Sequence, residues 1–119
     1  MNSRRHTSRR LTLSAHGGLE LIAGMTMMVA PAVLGFGAAG IVVSVVLGAI
    51  LMGMGMTLQG GLGSATSWHS GFDTLFVLVT AIAALGLAVD SERSAAVFLV
   101  VLVAIQVALS FATRYVTAA

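Results

Sequence analysis

Between Glu20 and Asp73 the chain contains no Asp, Glu, Lys or Arg. A water-soluble domain cannot be assembled around such a gap, because roughly a quarter of its residues are normally charged. Here charged residues make up 8% and apolar residues 58% of 119 positions, with a mean hydropathy of +1.03. The gap is also too long for one membrane crossing, which takes about 20 apolar residues. Gly35, Gly37 and Gly40 divide it. The pattern predicts a first helix over about Leu19–Phe36 and a second over about Ile41–Leu58. A second uncharged run, Thr74–Val89, extends a segment that opens near Phe72. After Asp90-Ser91-Glu92-Arg93 a fourth apolar run covers Ala95–Ala112.

None of the four runs alternates apolar and polar residues as the strands of a membrane barrel do. In hydrocarbon every backbone N–H and C=O must be satisfied inside its own segment, so such runs become helices. The expected fold is an all-α bundle of four transmembrane helices. Pro31, inside the first helix, removes one backbone donor and predicts a kink near Met27.

Orientation follows from arginine placement. All six basic residues are arginine; Arg4, Arg5, Arg9, Arg10 and Arg114 lie toward the two ends, and Arg93 lies between the third and fourth runs. An even number of crossings puts both ends on one side. The expected location is therefore the plasma (inner) membrane with both termini in the cytoplasm, outer turns near Gly37–Gly40 and Asp90–Arg93, and a Gly61–Ser70 loop inside. Arg4, Arg5, Arg9, Arg10, Arg114 and Trp68 are the expected lipid anchors, at about 1 kcal/mol per arginine near an anionic surface. Ser8-Arg9-Arg10-Leu11-Thr12-Leu13 loosely matches a twin-arginine export signal, but His16 and Glu20 interrupt its approach to the apolar run and no small-residue cleavage site follows. The basic tail lacks interleaved aromatics and a folded basic face, which argues against nucleic acid as a partner. The absence of cysteine excludes disulfides and thiolate chemistry.

Sliding the chain against itself by about 53 positions aligns His16-Gly17-Gly18-Leu19-Glu20 with His69-Ser70-Gly71-Phe72-Asp73. Ala30 then meets Ala83, Leu34 meets Leu87 and Thr57 meets Ser110. The alignment suggests two tandem two-helix repeats, 16–60 and 69–113, related by a pseudo-two-fold along the membrane normal. A basic tail (1–15), a Gly-rich linker (61–68) and a short tail (114–119) complete the expected organisation. The stretch Leu19–Phe36 resembles the SPW-repeat family of small multi-pass membrane proteins. Ala30-Pro31-Ala32 stands where that family has Ser-Pro-Trp, followed by a similar Val33-Leu34-Gly35-Phe36; the second half, with Ala83-Ala84-Leu85, lacks the proline. The resemblance implies a small multi-pass protein and carries no activity with it.

Polar groups near hydrocarbon each need a reason. His16 and Glu20 are four apart, as are His69 and Asp73, so each pair shares a helix face. At the cytoplasmic ends of the first and third helices their ordinary role is anchoring. If the pairs meet across the pseudo-axis they form a proton- or cation-binding cluster, and two histidines with two carboxylates match transition-metal donors. The spacing by itself assigns no metal and no cofactor. Gln106, deep in the fourth helix, heads a stripe with Ser110 and Thr113 and completes the candidate cluster of His16, Glu20, His69, Asp73, Gln106 and Ser110. Met52, Met54 and Met56 are spread around their helix and suit irregular packing. Gly24, Gly48, Ala49 and Gly53 are expected to permit close helix approach.

No catalytic motif is present. The sequence points first to a non-enzymatic structural or accessory membrane component whose partners are the bilayer and either a second copy or another membrane protein. A small proton- or cation-coupled transporter using Glu20 and Asp73 is the alternative. Length and helix number are similar to the small multidrug resistance transporters, but Glu20 is expected at a helix start and the aromatic lining of such carriers is missing.

Overall fold

The computed structural model describes residues 11–59 and 66–113. It contains four α-helices: α1 (Leu13–Val33), α2 (Ala38–Gln59), α3 (Thr66–Val89) and α4 (Arg93–Ala112). All four are long and apolar enough to cross a membrane. Large apolar side chains cover the outside, among them Val33, Ile82, Val89 and Phe111, each more than half exposed.

Every helix begins before the expected position. α1 starts at Leu13 rather than near Leu19, because the Thr12 hydroxyl accepts the Ala15 N–H at 3.1 Å and supplies the N-cap. That shift moves His16 and Glu20 from the helix threshold into its interior. α3 starts at Thr66, so His69 closes the first turn and Asp73 stands about two turns in. Residues expected in the N-terminal tail and the linker therefore belong to α1 and α3. Arg4, Arg5, Arg9, Arg10, Arg114 and most of the Gly-rich linker lie outside the described residues.

The two turns at the far end share one geometry. Gly35 adopts φ +70° after α1, with the Phe36 N–H on the Pro31 carbonyl and the Gly35 N–H on the Ala32 carbonyl. Ser91 adopts φ 68° after α3, with the Glu92 N–H on the Leu87 carbonyl. Both are left-handed helix stops that satisfy carbonyls the helix leaves unpaired. Pro31 stands in the last turn of α1, where its missing N–H frees only the Met27 carbonyl. Gly37 and Gly40 are small because the Glu92 carboxylate occupies the space beside them, accepting the Gly40 N–H at 3.1 Å. An anion there is favoured by the first-turn N–H groups of α2. At the other end the Leu11 N–H bonds the Ala112 carbonyl at 2.8 Å, tying the start of α1 to the end of α4.

α1 and α2 pack backbone to backbone through four glycines. A Cβ on Gly24 would lie 2.7 Å from the Gly48 carbonyl oxygen, and one on Gly48 would lie 2.7 Å from that of Gly24. Gly17 and Gly55 face each other in the same way, at 2.8 and 2.6 Å. The contacts thus repeat two turns apart on both antiparallel helices. Gly53, expected at this interface, instead faces open space. α3 packs on α4 as the second hairpin. Toward the turns at the Gly35 and Ser91 end, Met27, Leu47, Leu51, Leu87 and Leu99 form a closed apolar core, with Phe36 and Phe98 edge to face at 5.5 Å.

A branched side chain has no room between α1 and α2. Gly24→Val and Gly48→Val are each expected to destabilise the hairpin by about 1–3 kcal/mol, whereas Gly53→Ala stays within about 0.5 kcal/mol. Thermal midpoints in detergent, followed by circular dichroism, test this contrast.

Candidate functional site: a buried histidine–carboxylate quartet

At the end opposite the Gly35 and Ser91 turns, the hairpins meet through polar groups. No Cα of α1 comes within 8 Å of one in α3 among the described residues. Side chains bridge the separation, and they are His16 and Glu20 from α1 with His69 and Asp73 from α3. All four are buried, His16 and Glu20 at 0%, Asp73 at 1% and His69 at 3% exposure. Glu20 stands about two turns into α1, roughly 10 Å along the axis at 1.5 Å per residue. Anchoring at a helix end does not require that depth.

The geometry is reciprocal. His16 Nε2 lies 3.1 Å from Glu20 Oε1 and 3.1 Å from Asp73 Oδ2. His69 Nε2 lies 3.0 Å from Glu20 Oε2 and 3.2 Å from Asp73 Oδ1. Each carboxylate therefore spans both imidazoles, one oxygen to each. The two rings stand nearly perpendicular, 83° apart with centroids at 5.3 Å. One donor atom from each residue can be chosen so that all four fall within 4.8 Å of one another.

A second set of groups holds these four in place. Gln106 Nε2 donates to Glu20 Oε1 at 2.8 Å and to Asp73 Oδ1 at 3.3 Å, using one amide group to hold both acids. Thr113 Oγ1 donates its single proton to the Leu109 carbonyl at 2.6 Å. It must therefore accept from His16 Nδ1, 2.7 Å away. The proton on Nδ1 fixes the ring so that Nε2 faces the carboxylates. At the α1–α2 end, Gln59 Nε2 donates to the Ser14 carbonyl at 2.8 Å and closes the hairpin beneath the quartet.

Five of the six residues expected to cluster are thus together. Ser110, the sixth, lies half-buried in a groove of about 380 Å³ between α3 and α4, which Asp73 also lines. Thr113, placed in the stripe with Gln106 but not in the expected cluster, makes the direct contact that Ser110 does not. Its i+7 spacing from Gln106 was the available signal. A second groove, of about 370 Å³ between α2 and α3, reaches His69 past Thr57 and Trp68. Trp68 itself is 71% exposed and stacks with Phe72 at 6.4 Å.

Four polar groups converging in an apolar setting are energetically tolerable only with opposite charge among them. What the arrangement can do is hold positive charge, as protons or as a metal ion, between the two hairpins. No protein-family model matches the chain, no curated protein is significantly similar to it, and no solved structure matches it.

Gln106→Leu keeps the volume and removes both donors from the buried acids, at an expected cost of about 1–3 kcal/mol. Ser110→Ala is expected to cost under about 0.5 kcal/mol. Unfolding midpoints of the purified variants in one detergent measure the difference.

Proposed function

We propose that this chain is a non-enzymatic integral membrane protein that moves a cation across the bilayer by way of the buried quartet. The carrying observation is the complete burial of Glu20 and Asp73 against two histidines, one or two helical turns inside apolar helices. Ionisable groups at that depth mark ion pathways, because their desolvation is too expensive to retain for packing alone.

Other features support a route. The grooves that reach Asp73 and His69 open the quartet toward the sides of the bundle. On the far side of the quartet the interior carries two more buried hydroxyls, Thr80 on α3 and Ser44 on α2, neither with a hydrogen-bond partner among the described residues. Thr80 follows Asp73 by two turns on the same face. These oxygens offer a cation intermediate contacts through an otherwise apolar core.

In this proposal the protein lies in the plasma membrane with both ends cytoplasmic, as the arginine asymmetry favours, and the quartet sits in the cytoplasmic half. The matching His-x-x-x-acid pairs support an origin by duplication of a two-helix unit, and with it the likeness to SPW-repeat proteins. The competing role, a structural or accessory component, needs no charge at the bundle centre.

Proteoliposomes carrying the purified protein test transport, with dyes for H⁺, Na⁺, K⁺ and Zn²⁺ in separate arms. The expected result is flux of at least one cation above empty vesicles, reduced at least tenfold in Glu20→Gln/Asp73→Asn. Gel filtration and circular dichroism establish that the variant is folded. Vesicles no more permeable than protein-free ones, or flux that the double variant retains, would return the protein to the accessory class.

A further inference from the structure

We infer that the quartet is a mononuclear site for a divalent first-row transition-metal ion, with one ligand atom from each of His16, Glu20, His69 and Asp73. This rests on the cation-binding character proposed above and goes further by naming the ion's class.

Donor chemistry is the first argument. Two imidazole nitrogens with two carboxylate oxygens suit Zn²⁺, Fe²⁺, Co²⁺ or Ni²⁺. Mg²⁺ and Ca²⁺ favour all-oxygen shells, which the paired histidines do not supply. Geometry is the second. A tetrahedral ion with bonds of about 2.0–2.1 Å separates its donors by about 3.3–3.4 Å. Taken one from each residue, the four donor atoms here lie within 4.8 Å of one another, and the nitrogen–oxygen contacts of 3.0–3.2 Å use both oxygens of each carboxylate. Rotating each carboxylate so that one oxygen faces both imidazoles draws the donor set together toward that spacing. Charge is the third. Two carboxylates and one divalent ion, with neutral imidazoles, leave no net charge in a region where net charge is costly.

The most specific argument is the support around the ligands. A metal-binding histidine commonly donates its other N–H to an oxygen that fixes its tautomer and ring plane. His16 does this through Nδ1 to Thr113, whose own proton is committed to Leu109. Nε2 is thereby aimed at the centre, where it serves as a ligand once its proton is displaced. Gln106 performs the matching service for the acids, donating to one oxygen of each. These groups orient the ligands, aiming the His16 ring and one oxygen of each acid at a common centre.

Protein purified in detergent and stripped with EDTA tests the site. Calorimetry with Zn²⁺ is expected to give one ion per chain, and Co²⁺ is expected to produce the visible bands of a tetrahedral site. Mg²⁺ and Na⁺ should not compete at a hundredfold excess. His16→Ala/His69→Ala should abolish the cobalt bands. Thr113→Val, which keeps the helix and all four ligands, should weaken Zn²⁺ binding about 10–100-fold, with Thr113→Ser restoring it. Absence of Zn²⁺ and Co²⁺ binding by folded protein, or binding indifferent to both the histidine pair and Thr113, would overturn the assignment. The outcome separates from that of transport: H⁺ or Na⁺ flux without metal binding overturns the metal site alone. Tight Zn²⁺ binding without flux sustains the metal site and removes the carrier.

Discussion

The mutual attraction of two imidazoles and two carboxylates, taken out of water together, is the interaction on which the arrangement of the two hairpins depends. The backbones of α1 and α3 stay apart, and the quartet fills the separation. Within each hairpin the helices hold together by packing. Between hairpins, at this end, the junction is polar. Removing one member of such a group leaves an uncompensated buried charge, which costs far more than a surface ion pair returns. The contact is therefore strong only when complete, and it draws its meaning from the four side chains jointly.

The two ends of the bundle solve different problems. Around Met27, Leu47, Leu51 and Leu99 the interior is apolar, and the groove of about 590 Å³ beside it between α3 and α4 is lined by alanine, valine and leucine. The turns there are built to be rigid, with left-handed stops at Gly35 and Ser91 and the Glu92 carboxylate seated on the first turn of α2. At the quartet end, two grooves run between helices to His69 and Asp73. The α1–α2 hairpin is nonetheless fixed there by the Gly17–Gly55 contact and by Gln59 on Ser14. A rigid hairpin thus presents His16 and Glu20 to a second hairpin bordered by open space. Of the four acids in the chain, two meet at the centre and a third holds a helix start, so little of the acidic charge is left for the surface.

The number and type of helices were legible because a charge-free run of that length has no other stable state in hydrocarbon. Their starts were not. The Thr12 cap and the polar first turn of α3 read as interfacial chain, and hydropathy has no sensitivity to a hydroxyl accepting a backbone N–H. That error had a consequence: it put the His–acid pairs at the membrane threshold, where anchoring sufficed to explain them. Their i,i+4 spacing showed that each pair shares a face. That the faces meet is tertiary information, since α1 and α3 are separated by a whole hairpin in the chain. Of the four small residues expected to permit close helix approach, Gly24 and Gly48 meet each other, whereas Ala49 and Gly53 are exposed and Gly17 and Gly55 make the second contact. The i+7 spacing of Gly17 to Gly24, repeated from Gly48 to Gly55, was the pattern that carried the register.

Thr113 shows how far a residue outside the immediate cluster can decide its chemistry. With its proton spent on Leu109, it accepts the Nδ1–H of His16, and Nε2 turns toward the two acids. Two buried carboxylates brought this close repel unless positive charge lies between them. Stability then requires positive charge inside the quartet, whether on the rings or between them. In the apolar interior the second solution has an advantage, because one divalent ion neutralises both acids at once while the imidazoles remain uncharged ligands. The same logic explains the amide at Gln106, a donor that relieves the carboxylates without adding charge. Gln106, inside α4, and Thr113, its C-cap, stand seven positions apart, which brings the one to the acids and the other to the ring.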